Sequence, residues 1–105
     1  MLPSGILVTA LLRRINDNGG FGAVLARGDA QAGSILLVID TPNDGARIKE
    51  RGIGPEGNIA LIDTTPTGDI AEYWQRRRRA DPDIWVIELV GADAERFAAE
   101  TLLDD

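Results

Sequence analysis

The sequence contains neither cysteine nor histidine. Without cysteine there is no disulfide, thiolate metal ligand or thiol nucleophile. Without histidine, the commonest general base and the commonest metal ligand are both missing. Lysine is nearly absent too: Lys49 stands alone among eleven basic residues and the rest are arginine. This reads as a compositional bias, which lowers the significance of any one arginine cluster. No apolar run is long enough to span a bilayer. The longest near the start, Ile6 to Leu12, is followed rather than preceded by Arg13 and Arg14, the wrong order for a secretory signal. A cytoplasmic protein is expected, with no membrane contact.

What is present suits one domain. A chain of 105 residues supports a single hydrophobic core without staples. Its net charge of −6 repels phosphate backbones unless positive charge is segregated. No internal repeat, low-complexity tract or linker interrupts it.

The organising stretch runs from Asp69 to Val90. Asp69 and Glu72 have capping-box spacing. Ile70, Tyr73, Trp74 and Arg77 follow on one helical face. Asp81-Pro82-Asp83 stops the helix, because a residue before proline is pushed out of the helical region. Ile84 to Leu89 then reads as a strand rich in β-branched and aromatic residues, Trp85 among them.

Around this unit, Ser4 is a candidate cap for a helix over residues 4–18, with Val8, Leu11, Leu12 and Ile15 on one face and Asn18-Gly19-Gly20 as its stop; a strand near Ile6 to Val8 is the competing reading, since three apolar residues in a row fit either state. Residues 21–27 and 34–40 read as strands joined by a polar turn, and the second is apolar on both sides, as central strands are. Residues 46–51 alternate Ile48 with Arg47, Lys49 and Arg51, so one side is expected to face water. A glycine-rich connection leads to a strand over residues 58–64. A last helix follows Gly91 to Asp93, with Phe97, Ala98 and Leu102 inward. The order α-β-β-β-β-α-β-α predicts an α+β fold: two layers, a five-stranded, mostly antiparallel sheet and three helices. By direction counting the fifth strand pairs antiparallel with the first or parallel with the fourth.

Several patterns resemble chemistry. Gly52-Ile-Gly-Pro-Glu-Gly57 matches the dinucleotide fingerprint by letter, but Pro55 interrupts it and a strand follows instead of a helix. A hairpin connection is the better reading. Arg76, Arg77, Arg78 and Arg79 offer guanidinium forks for an anion, yet the same residues offset a helix dipole at its C-terminus and fan around the helix. Arg13 and Arg14 close the first helix in the same way. If the two clusters met, six arginines would form a positive patch fit for an anion or nucleic acid. Among the acids, Glu72, Asp81 and Asp83 have structural roles. Glu88 shares a side with Ile84, Val86 and Val90, so it is either at a strand end in water or buried and paired with an arginine; the pairing is the preferred reading, since a lone buried carboxylate costs several kcal/mol. No serine, threonine or lysine has an activating neighbour and no cofactor is indicated, so an enzyme using Asp81, Asp83 or Glu88 with a divalent ion is the least favoured of three readings.

The sheet has a second face to cover. Five strands make it about 24 Å wide, and three helices ~10 Å apart cover roughly 30 Å. Because the second and fifth strands are apolar on both sides, either the helices split across both faces or another subunit closes one. A face of about 480 Å² falls short of the ~800 Å² per partner of a standard interface, so a dimer needs helix or loop surface as well. A homodimer is the expected partner, ahead of nucleic acid.

Leu11-Leu12-Arg13-Arg14, Gly19-Gly20-Phe21, Val24-Leu25, Gly28-Asp29, Ala32-Gly33, the arginine run and Asp81-Pro82-Asp83-Ile84-Trp85-Val86-Ile87-Glu88 together resemble a family of small uncharacterised bacterial proteins classed as a domain of unknown function. Residues 42–68 depart from its pattern, and Ala80 stands where an aromatic residue is expected. The resemblance implies the same fold boundaries and supplies no substrate, cofactor or catalytic residue.

Overall fold

The computed structural model describes residues 2–103. Its elements are α1 (Ser4–Asp17), β1 (Phe21–Ala26), β2 (Ile35–Thr41), β3 (Gly45–Ile53), β4 (Ile59–Asp63), α2 (Ile70–Ala80), β5 (Trp85–Val90) and α3 (Ala94–Leu102). The fold is α+β in the expected order. The sheet order is β1-β5-β2-β3-β4. β5 pairs antiparallel with β1 and parallel with β2, and the β2–β3 and β3–β4 ladders are antiparallel. Pairing with β1 was one of the two expected arrangements. The parallel partner is β2 rather than β4. The reason is burial: β2 and β5 are the two strands apolar on both sides, and side by side they form the centre of the sheet.

The expected two layers are three, because the helices divide between the faces. α1 and α3 cover one face, packing Leu7, Val8, Leu11, Ile15, Ala98 and Leu102 on Ile35, Leu37, Ile39, Trp85, Ile87 and Leu89. On the other face Ile70, Tyr73 and Trp74 of α2 pack against Leu36, Val38, Ile48, Ile84 and Val86. No residue of α2 is itself buried, so this helix is a lighter cover than the α1/α3 layer.

Local chemistry explains the boundaries. The Asp69 carboxylate caps α2 by accepting from the Glu72 N–H at 2.8 Å. Asp81 closes that helix, its N–H bonding the Arg77 carbonyl. Ser4 is the first helical residue and not the cap; Pro3 takes that position. The buried Ser4 hydroxyl instead donates to the Gly33 carbonyl at 2.6 Å.

The segment from Gly28 to Gly33 passes across the start of β5 rather than forming a hairpin. It is stitched there by Asp29 N–H to the Asp83 carbonyl (3.0 Å), Trp85 N–H to the Ser34 carbonyl (2.8 Å) and Trp85 Nε1–H to the Asp29 carbonyl (2.7 Å). A Cβ at Gly28 or Gly33 would lie 2.2 or 2.1 Å from the Asp83 carbonyl oxygen. Only glycine allows that approach.

Candidate functional site

The two arginine clusters lie on opposite faces of the sheet, since α1 and α2 do. Most of the six side chains are already engaged. Arg14 bonds Glu100 of α3 and stacks on Phe97, 5.0 Å from the ring centre. Arg77 bonds Glu50 through two parallel contacts of 2.8 and 2.9 Å and touches the Tyr73 hydroxyl at 2.8 Å. Arg78 reaches back to the carbonyls of Pro82 and Ile84. Arg76 lies over the Tyr73 ring at 5.7 Å. Arg13 and Arg79 are exposed. The patch that six converging arginines would make does not form.

The acids sort differently from the expectation. Glu88 is half-buried but has no arginine among the described residues; Glu50 holds that place. Glu50 lies between Arg77 and Thr64, whose hydroxyl donates at 2.6 Å. The Arg77 hydrogen bonds hold the Glu50 carboxyl below its ordinary range against the opposing effect of burial, and the same pair raises the guanidinium. A sequence signal for Glu50 existed. By strand alternation it falls on the side of Ile48, the buried side of β3. An acid at an inward position needs a partner, and Arg77 on the apolar side of α2 supplies it.

The expected watery side of β3 is a ladder of ion pairs. Arg47 and Lys49 meet Asp63 at 2.9 and 3.4 Å, Lys49 lies 3.8 Å from Glu95, and Arg51 donates to the Leu102 carbonyl at 3.0 Å. Hydrogen bonds from Thr65, and then Arg47, hold the Asp63 carboxyl well below the usual range. The acidic partners Asp63 and Glu95 face these cations, so the stripe is compensated rather than open to an anion. Asp81 closes α2 and accepts from the Asp83 N–H at 3.1 Å, and Asp83 offers its carbonyl to Asp29. Gly52 to Gly57 lies in the β3–β4 hairpin, where the Gly54 N–H bonds the Asn58 carbonyl at 2.7 Å and Gly57 takes a φ of +83°.

Among the described residues, no three Asp or Glu side chains gather as a metal site, and no helix is long and apolar enough to cross a membrane. A cavity of about 250 Å³ between the end of α1 and the start of α3 is lined chiefly by Ile15, Gly19, Gly20, Gly91 and Phe97, with Asp93 its only ionisable side chain.

The surface feature that does concentrate is apolar. Among the described residues eight large hydrophobic side chains are exposed. Five of them, Ile6, Phe21, Val24, Leu25 and Val90, surround β1, the outermost strand. Phe21 pairs with Val90 across the ladder. Ile6 and Val24 line a groove of about 370 Å³ between α1 and β1, with Leu12, Arg27 and Trp85. Arg27 lies over the Trp85 ring at 5.4 Å.

Fold and surface together define a small three-layer α+β protein with one apolar sheet edge. The chain belongs to the family described as "Protein of unknown function (DUF1491)", whose profile matches residues 2–99. It is similar to a DUF1491 family protein from Caulobacter crescentus CB15 in a crystal structure (33% identity, TM-score 0.78, 92% of this chain and 94% of that one). An NMR structure of a DUF1491 family protein from the same organism gives 35% identity, a TM-score of 0.71 and 91% coverage of both chains. A solution structure of protein Atu0922 from A. tumefaciens gives 26% identity, a TM-score of 0.68 and 86% coverage of both. No curated protein matches the chain. None of these relatives carries a stated activity.

Proposed function

We propose that this domain works through protein contact, as a homodimer, and that its contact surface is the β1 edge with the adjoining flank of α1. The observation that carries the reading is the concentration of exposed apolar side chains there: Phe21 is 53%, Ile6 53%, Val24 43%, Leu25 39% and Val90 38% accessible. Ile6 and Val24 lie on the α1 side of this edge and Phe21 with Val90 on the α2 side; scattered single hydrophobics are ordinary on a protein surface, whereas their concentration along one strand marks it as an interaction site.

The reading differs in place from the one suggested by the sequence. The doubly apolar strands β2 and β5 needed cover on both faces, and α2 provides it for Leu36, Val38, Ile84 and Val86. What stays open is the edge. The anion reading has less to stand on, because its arginines are divided between the faces and two of the six, Arg14 and Arg77, are ion-paired within the chain.

Light scattering across a range of protein concentrations tests the proposal. Val24→Lys and Phe21→Ser replacements are expected to hold the chain as a monomer at concentrations where the native protein associates, with the melting temperature unchanged within a few degrees. A native chain that stays monomeric at high micromolar concentration removes the reading.

A further inference from the structure

We infer that one end of the sheet's α2 face is a docking site for a basic amphipathic helix of another protein, which brings a cation to Glu88. This site goes beyond the homodimer reading and does not rest on it.

Cover on that face fails at one end, and on three neighbouring strands together. From Ile84 into β5, the residues on the α2 side are Ile84 and Val86, buried, then Glu88, half-buried, then Val90, exposed. β2 follows, with Leu36 and Val38 buried and Asp40 exposed. On β1, which runs the other way, Ala26 and Ala23 are half-buried and Phe21 is exposed. Strand pairing sets Val90 between Phe21 and Asp40, and Glu88 between Ala23 and Val38. The open β1 edge thus continues onto the sheet as a corner made by Phe21, Ala23, Glu88, Val90 and Asp40.

Helix widths account for the gap. Five strands of ordinary length make a face about 20 by 24 Å. Helices pack about 10 Å apart, so such a face takes two. The opposite face has two, α1 and α3, whereas this one has α2 alone. α2 sits over the Ile84 end, where Arg78 reaches the Pro82 and Ile84 carbonyls. It leaves a band one helix wide.

Charge selects the occupant. Glu88 stands beside Ala23 and Val38 with no ion-pair partner among the described residues, and Asp40 has none either. A half-buried carboxylate on an apolar surface is relieved by a cation that arrives with its own apolar cover. The chain supplies no such cation here. Arg47, Lys49 and Arg51 are engaged on the α1/α3 face, and Arg77 is held by Glu50. A hollow of about 210 Å³ beside Asp40 and Val90 gives a long basic side chain a place to reach. The net charge of −6 draws a basic partner at long range. A second copy has no such helix to give, since α1, α2 and α3 spend their apolar stripes on their own sheet. The band, about 10 by 24 Å, is well below the ~800 Å² per partner of a standard interface, so the complex is weak and short-lived.

The probe is a peptide of about 14 residues, roughly 21 Å long as a helix, with leucine at i, i+3, i+4 and i+7 spacing and lysine elsewhere. Its control carries glutamate in place of lysine. The lysine peptide is expected to bind in the micromolar range and to shift the backbone amide signals of Phe21, Ala23, Asp40, Glu88 and Val90. The glutamate peptide is expected not to bind. Glu88→Gln is expected to weaken the lysine peptide about tenfold. Glu56→Gln, which removes one exposed charge at the β3–β4 turn, is expected to weaken it less than about twofold. The same results are expected of Val24→Lys, changed on the α1 side of β1, so failure of the homodimer reading leaves this one standing. Equal weakening by Glu88→Gln and Glu56→Gln, or amide shifts scattered over the acidic surface, means attraction to net charge alone and overturns the site. Equal binding of the two peptides overturns it as well. A Val24→Lys chain that still self-associates, and stops doing so with Glu88→Gln, gives the corner to a second copy and overturns it too.

Discussion

Arg77 of α2 grips Glu50 of β3 through two parallel hydrogen bonds of 2.8 and 2.9 Å. With the Thr64 hydroxyl on the same carboxylate, this contact ties a helix with no buried residue to the sheet. Glu50→Gln removes the charge and leaves the guanidinium half-buried without its counter-ion. The expected loss is about 1.5–3 kcal/mol, the range for hydrogen bonds to charged groups, read as a lower urea midpoint. Arg79→Gln, on the exposed side of the same helix, is expected to stay within about 0.5 kcal/mol.

The same pair sets an acid dependence. Arg77 holds the folded-state Glu50 carboxyl below its ordinary value of 4.5. A lowered carboxylate contributes stability above its unfolded value and loses it as pH falls through the folded one. The urea midpoint is therefore expected to be level from neutral pH down to about 5 and to fall below about 4.5. In Glu50→Gln that fall is shallower. Asp63, lowered by Thr65 and Arg47, keeps part of it in both chains. Equal acid sensitivity in the two chains would mean that another group carries the titration.

How far the sequence foretold the fold depends on the range of the interaction. The span from Asp69 to Trp85 was legible because capping, a proline stop and side-chain periodicity act within a few residues. The neighbour of β5 was not. It is fixed by β2 and β5 each needing cover on both sides, and by glycines 28 and 33 letting one loop cross the start of β5. The proposed contact surface was hidden for a similar reason. β1 looks like any short apolar strand until the sheet order leaves it outermost. Glu88 was the acid expected to meet an arginine, yet Glu50 also falls on an inward position, and only the docking of α2 decides which acid is paired.

The loop crossing yields a third expectation. Trp85 is 3% exposed and its indole N–H donates to the Asp29 carbonyl at 2.7 Å. Trp85→Phe keeps a ring in place but removes the indole donor, leaving the Asp29 carbonyl with only its 3.2 Å bond from the Gly33 N–H, at a cost of about 0.5–1.5 kcal/mol. Gly33→Ala drives a methyl against the Asp83 carbonyl oxygen and is expected to cost more than the tryptophan change, since the backbone must move. Thermal denaturation of the two variants checks the order.

The arginines give a fourth. With Arg13 and Arg14 on one face of the sheet and Arg76 to Arg79 on the other, no joint anion site exists. The chain is expected to pass heparin without retention at about 50 mM salt, where phosphate binders hold tightly. Retention that weakens with salt and is abolished by Arg76→Glu with Arg79→Glu would instead make α2 an anion site by itself.

Association through the β1 edge is read most directly by sedimentation velocity of the native chain and of Val24→Lys, from low to high micromolar concentration. The expected result is a native weight-average mass rising from one chain toward two while the lysine variant stays at one. Two chains that both remain single throughout, or a variant that dimerises as the native chain does, would contradict the edge as the working surface of this domain.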